Sequence, residues 1–396
     1  MKLVVIGIGQ CGGRIADEFS RLDSRARRHR RISIIGDTFA VNTDTADLSG
    51  LSHTKSDYRH RILIGNRKIG THGVGKINEM GARAAREDSE KVIGALRSVS
   101  AVYEADAFLL TAGAAGGTGS GAMPIMAKIL KQRFKHKPVY TLVVLPFENE
   151  EKREARTSYN TAICLKAVYP VSDAVFLVDN QRYIQKDSSL NNNINAINKL
   201  ITEPFYDLLC AGEVKKAKQV GIRVLDAGDI IATLSGLTTL GYGVAQLSTI
   251  RLPFERARDF RKKSTETNKG IQAMDEALSN LSIECDPKDS ANALYLVSAP
   301  RGEMSMDLVN ELSEYLSEVA PEAGIRYGDY PRGEATLKVT TILSKLKRVD
   351  KVRQYYENTP LLIQKDKESA KKYEAEIDEL INAAAAVPSL FGSDGD

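Results

Sequence analysis

The sequence predicts an α/β fold with a Rossmann-like parallel sheet, a long central helix and a second, smaller α/β domain. Apolar runs of strand length alternate with helical patterns over the first 185 residues, an order typical of a parallel sheet with helices on both faces. These runs are almost continuously apolar, as expected for strands buried on both sides. Strand patterns resume after one long helical stretch, which indicates the second domain.

The first predicted domain spans residues 1–185. Its strands are expected at 2–7, 32–35, 61–64, 107–111, 139–145 and 174–178. Its helices are expected at 76–97, 121–133 and 152–168.

A central helix and a second domain are predicted to follow. The helix covers 191–211 within the connection 186–225, and Pro204 should bend or break it. The second α/β domain spans 226–350. Its clearest strand patterns are 293–298 and 335–343.

The C-terminal part is predicted to be a helical segment and a tail. The segment 351–385 is predicted to be helical, because residues 364–384 carry apolar side chains at helical spacing that give this helix one packing face. The tail 386–396 is polar and contains Pro and Gly, but it also carries Leu390 and Phe391. We expect either an unstructured end or a tail that docks into the groove of an adaptor protein.

Composition excludes several classes of protein. No apolar run approaches the roughly 20 residues that span a membrane, so we expect a cytoplasmic protein without a membrane span. The net charge of +4 is mild, and the basic run 25–31 favours a solvated face over a nucleic-acid contact. Widely separated cysteines predict neither disulfides nor a zinc site: Cys11, Cys164, Cys210 and Cys285.

A glycine-rich stretch, TAGAAGGTGSGAMP at 111–124, connects a predicted strand to a predicted helix. Exposed amides and the positive end of a helix dipole would face such a loop and bind an anion. A tight strand-to-helix connection explains the same residues equally well.

Two further glycine clusters lie at strand ends. Gly7, Gly9 and Gly12 form the dinucleotide pattern GxGxxG, and Asp37 is a candidate for the acidic residue that would hold a ribose. The loop 70–76 nearly matches a P-loop, but Ile77 stands where Ser or Thr should bind magnesium. A nucleotide with several phosphates would explain all three clusters.

Six motifs follow one another at or near predicted strand ends: GIGQCGG (7–13), NTD (42–44), the loop 70–75, AGGTGSG (115–121), PFENEEKR (146–153) and VDN (178–180). Their order and spacing resemble the tubulin/FtsZ superfamily, and most closely its archaeal CetZ group. The resemblance covers residues 1 to about 345, and Ala115 replaces the first glycine of the family signature.

This resemblance implies a site for GTP or GDP with Mg²⁺. Gln10 would reach towards the metal, the loop from Gly73 to Gly75 would sense the γ-phosphate, and Glu150 would bind the ribose. Other cofactor-binding residues implied by the motifs are Gly9, Gln10, Cys11, Gly12, Asn42, Asp44, Gly73, Gly75, Ala115, Gly116, Gly117, Thr118, Gly119 and Ser120. The base would contact Arg153, Asn180 and Asn195, with Asn191 at the stacking position.

The segment LDAGDIIATL at 225–234 carries two carboxylates directly before an apolar helix. By itself this pattern favours a helix cap. The resemblance instead implies catalytic roles for Asp226 and Asp229, although Val224 stands where the family has Asn. Carboxylates would repel a triphosphate in their own subunit, so they would act on the nucleotide of a neighbouring subunit stacked head to tail.

The resemblance therefore implies a cytoskeletal GTPase that assembles into filaments and hydrolyses GTP at the subunit junction. We expect a role in cell shape, with cell division as the alternative. Two other classes remain open from the residues alone. A NAD-dependent oxidoreductase would use GxGxxG, and a non-hydrolysing scaffold would bind nucleotide without turnover.

Overall fold

A computed structural model describes residues 1–65, 70–184, 190–214, 220–247 and 260–358. The predicted helix at 364–384 and the tail 386–396 lie outside the described residues. Within the described residues, no helix has the length and apolar character needed to cross a membrane.

Ten strands form one sheet in the described part of the chain. They are β1 (Leu3–Ile8), β2 (Ile35–Asn42), β3 (Arg61–Leu63), β4 (Ala107–Gly113), β5 (Val139–Leu145), β6 (Ala174–Asp179), β7 (Gly236–Gln246), β8 (Asn292–Ala299), β9 (Gly324–Pro331) and β10 (Thr336–Ser344). Their order is β3-β2-β1-β4-β5-β6-β7-β10-β8-β9.

Helices cover both faces of this sheet. In the first half they are α1 (Gly9–Arg30), α2 (Thr45–Ser49), α3 (Asn78–Glu87), α4 (Ser89–Arg97), α5 (Ala101–Glu104), α6 (Gly117–Arg133), α7 (Glu148–Arg153) and α8 (Ala155–Val168). They continue with α9 (Leu190–Ala211), α10 (Ala227–Thr233), α11 (Phe260–Ser279) and α12 (Met306–Val319). A further helix, α13, covers 350–358.

The sheet runs without a break through both halves of the protein. Strands β1 to β6 are parallel to their neighbours. Strand β6 also pairs in parallel with β7, from Ala174 opposite Gly236 to Phe176 opposite Thr238. Beyond this junction β7, β10 and β8 are antiparallel, while β8 and β9 are parallel. The predicted parallel α/β fold is confirmed.

The two faces of the sheet carry the two large hydrophobic clusters. Each cluster contains residues from both halves. In one of them Phe205 of α9 packs edge-on against Phe19, with ring centroids 5.3 Å apart, and against Phe176, at 5.4 Å. Leu294 and Ile342 from the second half belong to the same cluster. Helix α9 is therefore packed into a core that both halves share.

Several sequence-based boundaries differ from the structure. The strand expected at 32–35 lies at Ile35–Asn42, because the Asp23 carboxylate binds the N–H groups of Ile34 (2.8 Å) and Ile35 (3.0 Å) at the strand entry. The helices expected at 76–97 and 152–168 are each two helices.

The central helix is not broken at Pro204, since α9 continues through it, and the expected bend stays a prediction. The carbonyl that loses its donor belongs to Leu200, four residues earlier. Leu200 is exposed, so water can replace the missing hydrogen bond.

The basic run 25–31 forms the end of α1 and is partly used in internal contacts. The Arg25 guanidinium lies 3.6 Å from the centroid of the Tyr206 ring and pairs with Glu203 at 2.7 Å. Arg27 pairs with Asp23. Cations in the last turn also interact favourably with the helix dipole.

Asp17 of α1 fixes the segment that follows α2. Its carboxylate accepts the N–H groups of Ser52 (3.0 Å), His53 (2.8 Å) and Thr54 (2.7 Å). Burial raises the pKa of Asp17, but these bonds and the His53 side chain outweigh it, so the pKa is lowered. A lowered pKa means that folding favours the ionised carboxylate.

We expect Asp17→Asn to lower the free energy of unfolding by about 1–3 kcal/mol at neutral pH, because one buried N–H then faces an amide donor. The stabilisation by Asp17 is present above the unfolded-state pKa of about 3.9 and is lost as pH falls through the lower folded-state pKa. Denaturant unfolding of the wild type and the variant from pH 7 to pH 3 should show that their difference in free energy of unfolding becomes smaller towards acid. A difference that stays constant over this range would contradict the stabilising role of the ionised Asp17 carboxylate.

Candidate functional site

A cavity of about 450 Å³ lies at the carboxyl ends of the parallel strands. This edge is where open α/β sheets bind their ligands. The predicted site residues that line it are Gly9, Gln10, Cys11, Asn42, Asp44, Gly73, Ala115, Gly116, Gly117, Thr118, Gly119, Glu150 and Asn180. The structure thus brings together residues from all the motifs quoted above.

Two helix N-termini meet at this cavity. Helix α1 begins at Gly9 and α6 at Gly117, and neither has a side-chain cap or an acidic residue in its first turn. A Cβ atom on Gly9 would lie 3.0 Å from the N atom of Gly119, so the two helix starts are in close contact. Uncapped amides and two positive dipole ends make this region suited to phosphate groups.

The glycines of the α6 loop differ in what they face. A Cβ on Gly116 would meet no atom within 4 Å, whereas one on Gly117 would lie 2.6 Å from Cγ2 of Val74 and 2.7 Å from the N atom of Ile77. Gly117 is therefore needed for packing against the loop 70–77. Gly116 faces open space.

Asp47, which sequence reasoning missed, joins two predicted residues at the polar wall of the cavity. Its carboxylate accepts from Gln10 Nε2 (2.7 Å) and from Asn42 Nδ2 (3.0 Å). Asp44 caps the N-terminus of α2 through the N–H groups of Ala46 and Asp47. Asp47 lies in the first turn of α2, three residues after the cap Asp44, and this spacing was the signal that could have identified it.

The loop 70–77 is tied to the rest of the cavity by its backbone. Gly73 donates its N–H to the Thr43 carbonyl at 3.2 Å. The buried amide of Asn160 donates to the carbonyl of Lys76 (2.8 Å) and to that of Ala115 (3.0 Å). Asn160 therefore links this loop to the loop before α6.

The other end of the cavity is lined by Asn180, Phe147 and part of α9. Asn198 of α9 lines it and is 5% exposed, with Ile194 one turn earlier. Asn195, the residue expected there, is exposed and does not line the cavity. The side chain of Asn191 lies outside the described residues.

Four other predicted residues do not line the cavity: Gly12, Gly75, Ser120 and Arg153. Gly12 is a packing residue, since a Cβ there would lie 1.9 Å from the Thr111 carbonyl oxygen of β4. The Ser120 hydroxyl donates to the Gly116 carbonyl. Arg153 is exposed.

The titratable groups of the cavity include Cys11 and Glu150. Burial raises the pKa of Cys11 to about 12, so it is a neutral thiol at pH 7. The Glu150 carboxylate accepts the Phe147 N–H at 3.2 Å and so caps α7. No cluster of three or more metal-binding His, Cys, Asp or Glu side chains occurs among the described residues.

Asp226 and Asp229 do not line the cavity. Asp226 is exposed and caps α10, accepting the Asp229 N–H at 2.9 Å, as the cap interpretation predicts. Asp229 is partly exposed, with its carboxylate 3.6 Å from Arg326 Nε. The preceding segment carries exposed Ile222 and Val224.

Asp37, the acidic residue that the oxidoreductase alternative requires, also lies outside the cavity. It pairs with Lys55 at 2.7 Å and lies 3.2 Å from His60 Nε2. The first glycine cluster therefore has no ribose-binding carboxylate in the expected place.

Comparison with known proteins identifies the family. Residues 2–187 match the Tubulin/FtsZ family GTPase domain, and residues 187–359 match the Tubulin-like CetZ C-terminal domain. Tubulin-like protein CetZ1 of Haloferax volcanii is 32% identical over 370 residues, covering 89% of this chain and 90% of its own. CetZ4 of the same organism is 33% identical over 367 residues, with the same coverage.

Solved structures agree with this relationship. CetZ2 from Haloferax volcanii, described as a GTPgS bound protofilament, has a TM-score of 0.79 and 30% identity, covering 93% of this chain and 100% of its own. CetZ1, described as a GDP bound monomer, has a TM-score of 0.78 and 29% identity, covering 91% and 98%. The chain belongs to the CetZ group of the tubulin/FtsZ superfamily.

Proposed function

We propose that this protein binds GTP and GDP, hydrolyses GTP and assembles head to tail into filaments. The observation that carries the proposal is the meeting of two uncapped helix N-termini at one cavity lined by the family motifs. Relatives described as GDP bound and as a GTPgS bound protofilament support both the ligand and the assembly.

The phosphates would lie on the starts of α1 and α6, where backbone amides supply most of the binding. Asp47 and Gln10 supply oxygen donors beside this position. Two such side chains fit Mg²⁺, which takes its remaining ligands from phosphates and water. Bound there, Mg²⁺ would neutralise phosphate charge.

The base would lie at the end formed by Asn180 and Asn198. Amide side chains offer both a donor and an acceptor to the edge of guanine, and Ile194 provides an apolar surface for the ring. Glu150, also in the cavity wall, would accept ribose hydroxyls.

Hydrolysis would require a second subunit. Asp226 is exposed, Asp229 is partly exposed, and neither lines the cavity of its own chain. Both carboxylates could therefore reach the nucleotide in the cavity of a stacked neighbour. A patch that meets a different patch generates an open filament. We propose that this filament lies in the cytoplasm and controls cell shape. We also propose that the C-terminal tail binds an adaptor protein.

The proposal predicts a strong preference for GTP over ATP. Asn198→Ala should weaken GTP binding about 10-fold to 100-fold, because a buried amide that pairs with the base is lost. Asn195→Ala is the matched control, since Asn195 is exposed on the same helix, and it should bind GTP normally. Calorimetric titration measures the affinities of the wild type and of both variants for GTP and ATP. Equal affinity of the wild type for the two nucleotides would exclude a guanine-specific site.

Assembly is tested by sedimentation with and without GTP and Mg²⁺. Pelleting that depends on GTP, with phosphate release, supports the proposed function. Filaments without phosphate release would instead indicate a non-hydrolysing scaffold, an alternative that Val224 at the position of the family's Asn leaves open.

A further inference from the structure

Among the described residues, Lys76 and Arg14 of α1 are the two cations that line the cavity. Lys76 lies near the end of the loop 70–77, and its carbonyl carbon would lie 2.8 Å from a Cβ on Gly117, the first residue of α6. Lys76 is thus next to a helix start that would bind phosphate. We propose that Lys76 contacts the γ-phosphate of GTP and so distinguishes GTP from GDP, an inference that rests on the proposed function.

The backbone of Lys76 is held in an unusual conformation. Its φ angle is +62°, in the left-handed region that non-glycine residues rarely adopt. Asn160 fixes the Lys76 carbonyl, and Ile77 donates its N–H to the Val74 carbonyl at 3.0 Å. Strained conformations of this kind persist where the surroundings impose them, often at ligand sites. Lys76 lines the cavity, while its ammonium group contacts Glu154 and Thr157 beyond the lining.

The present partners of the ammonium group hold it weakly. Lys76 Nζ donates to a Glu154 carboxylate oxygen and lies 3.3 Å from Thr157 Oγ1. The side chains of Lys76 and Glu154 are 42% and 46% exposed. Ion pairs between exposed side chains contribute little to stability, so the ammonium can exchange Glu154 for a phosphate oxygen.

Charge favours this exchange only when the terminal phosphate is present. The cavity also contains the carboxylates of Asp44, Asp47 and Glu150, and a γ-phosphate adds further negative charge. A lysine on the adjoining loop would offset that charge. Movement of Lys76 away from Glu154 would also release the start of α8, which Glu154 precedes.

The test compares GDP and GTPγS binding, both with Mg²⁺, to the wild type and to Lys76→Met. Methionine has an unbranched side chain one atom shorter than that of lysine and pays a similar backbone cost, so the charge is the main change. We expect GTPγS affinity to fall about 10-fold to 100-fold, as for loss of a charged hydrogen bond, and GDP affinity to stay within about 2-fold. Lys347→Met is the control, since Lys347 also forms an exposed pair, with Glu322, away from the cavity.

Glu154→Gln provides an independent test that leaves Lys76 intact. Release of the ammonium should raise GTPγS affinity about 2-fold to 5-fold, the range for an exposed ion pair, without changing GDP affinity. Equal losses of GDP and GTPγS affinity in Lys76→Met, or no loss of either, would overturn the proposal. Failure of the wild type to bind any guanine nucleotide would instead refute the proposed function.

Discussion

Replacing Asp229 by alanine is expected to lower GTP turnover about 100-fold or more while GTP binding and assembly remain. A carboxylate that orients the attacking water typically contributes 100-fold to 10,000-fold. Asp229 lies outside the cavity of its own chain, so its removal should not disturb the bound nucleotide. Asp226, not Asp229, supplies the cap of α10, so the fold should tolerate the change.

Phosphate release, nucleotide binding and sedimentation are measured at several protein concentrations. Turnover per wild-type molecule should rise with concentration, because the site is completed only by contact. Asp350→Ala is the control, as Asp350 also stands at a helix start and pairs with an arginine, Arg348, at 2.7 Å. Normal turnover in the Asp229 variant, together with turnover that is independent of dilution, would exclude a shared site.

Replacing Gly116 by leucine should abolish most nucleotide binding. The new side chain would meet no protein atom within 4 Å of its Cβ and would occupy space in the cavity. Steric overlap of a few kcal/mol corresponds to a loss of about 100-fold or more. Gly94→Leu is the matched control, because Gly94 is also open to solvent but lies in α4, outside the cavity.

Mixing the two inactive variants tests where catalysis occurs. A junction between the Gly116→Leu subunit and the Asp229→Ala subunit can combine an intact cavity from one with an intact Asp229 from the other. We expect partial return of phosphate release on mixing. Gly117 is a poorer choice, since a side chain there would collide with Val74 and Ile77. If Asp226 serves only to cap α10 and Asp229 only to pair with Arg326, mixing restores nothing, and removal of the cap costs about 1 kcal/mol of stability.

The parallel sheet and the phosphate end of the cavity were predictable from sequence. Strands such as 174–178 have no polar interruption, and the carboxyl ends of parallel strands share one edge, so loops that start there must meet. Gly9 and Gly116 were expected together for this reason, and they line one cavity.

To predict whether Asn195 or Asn198 lines the cavity, one must know which face of α9 is buried. Asn198 shares a helix face with Ile194, Ile197 and Ile201 at spacings of three and four, and Ile197 and Ile201 are buried. That periodicity was present in the sequence. A run of similar residues, NNNINAIN, made residue type a poor guide to position.

Strand β7 was difficult to recognise in the sequence because it contains several glycines. A Cβ on Gly241 would lie 2.1 Å from the Ala277 carbonyl oxygen, and one on Gly243 would lie 1.9 Å from that of Ala273. Helix α11 crosses the strand so closely that no side chain fits. Glycine weakens any strand pattern, and the helix that requires it is remote in sequence.

The cores shared by both halves have a consequence for how the molecule unfolds. The family models divide the chain at residue 187, yet Phe19, Phe205 and Leu294 belong to one hydrophobic cluster. Each of the two large hydrophobic clusters is built from both halves, so separating the halves would expose apolar surface that neither could cover alone. The two family segments should therefore behave as one thermodynamic unit, which melts cooperatively.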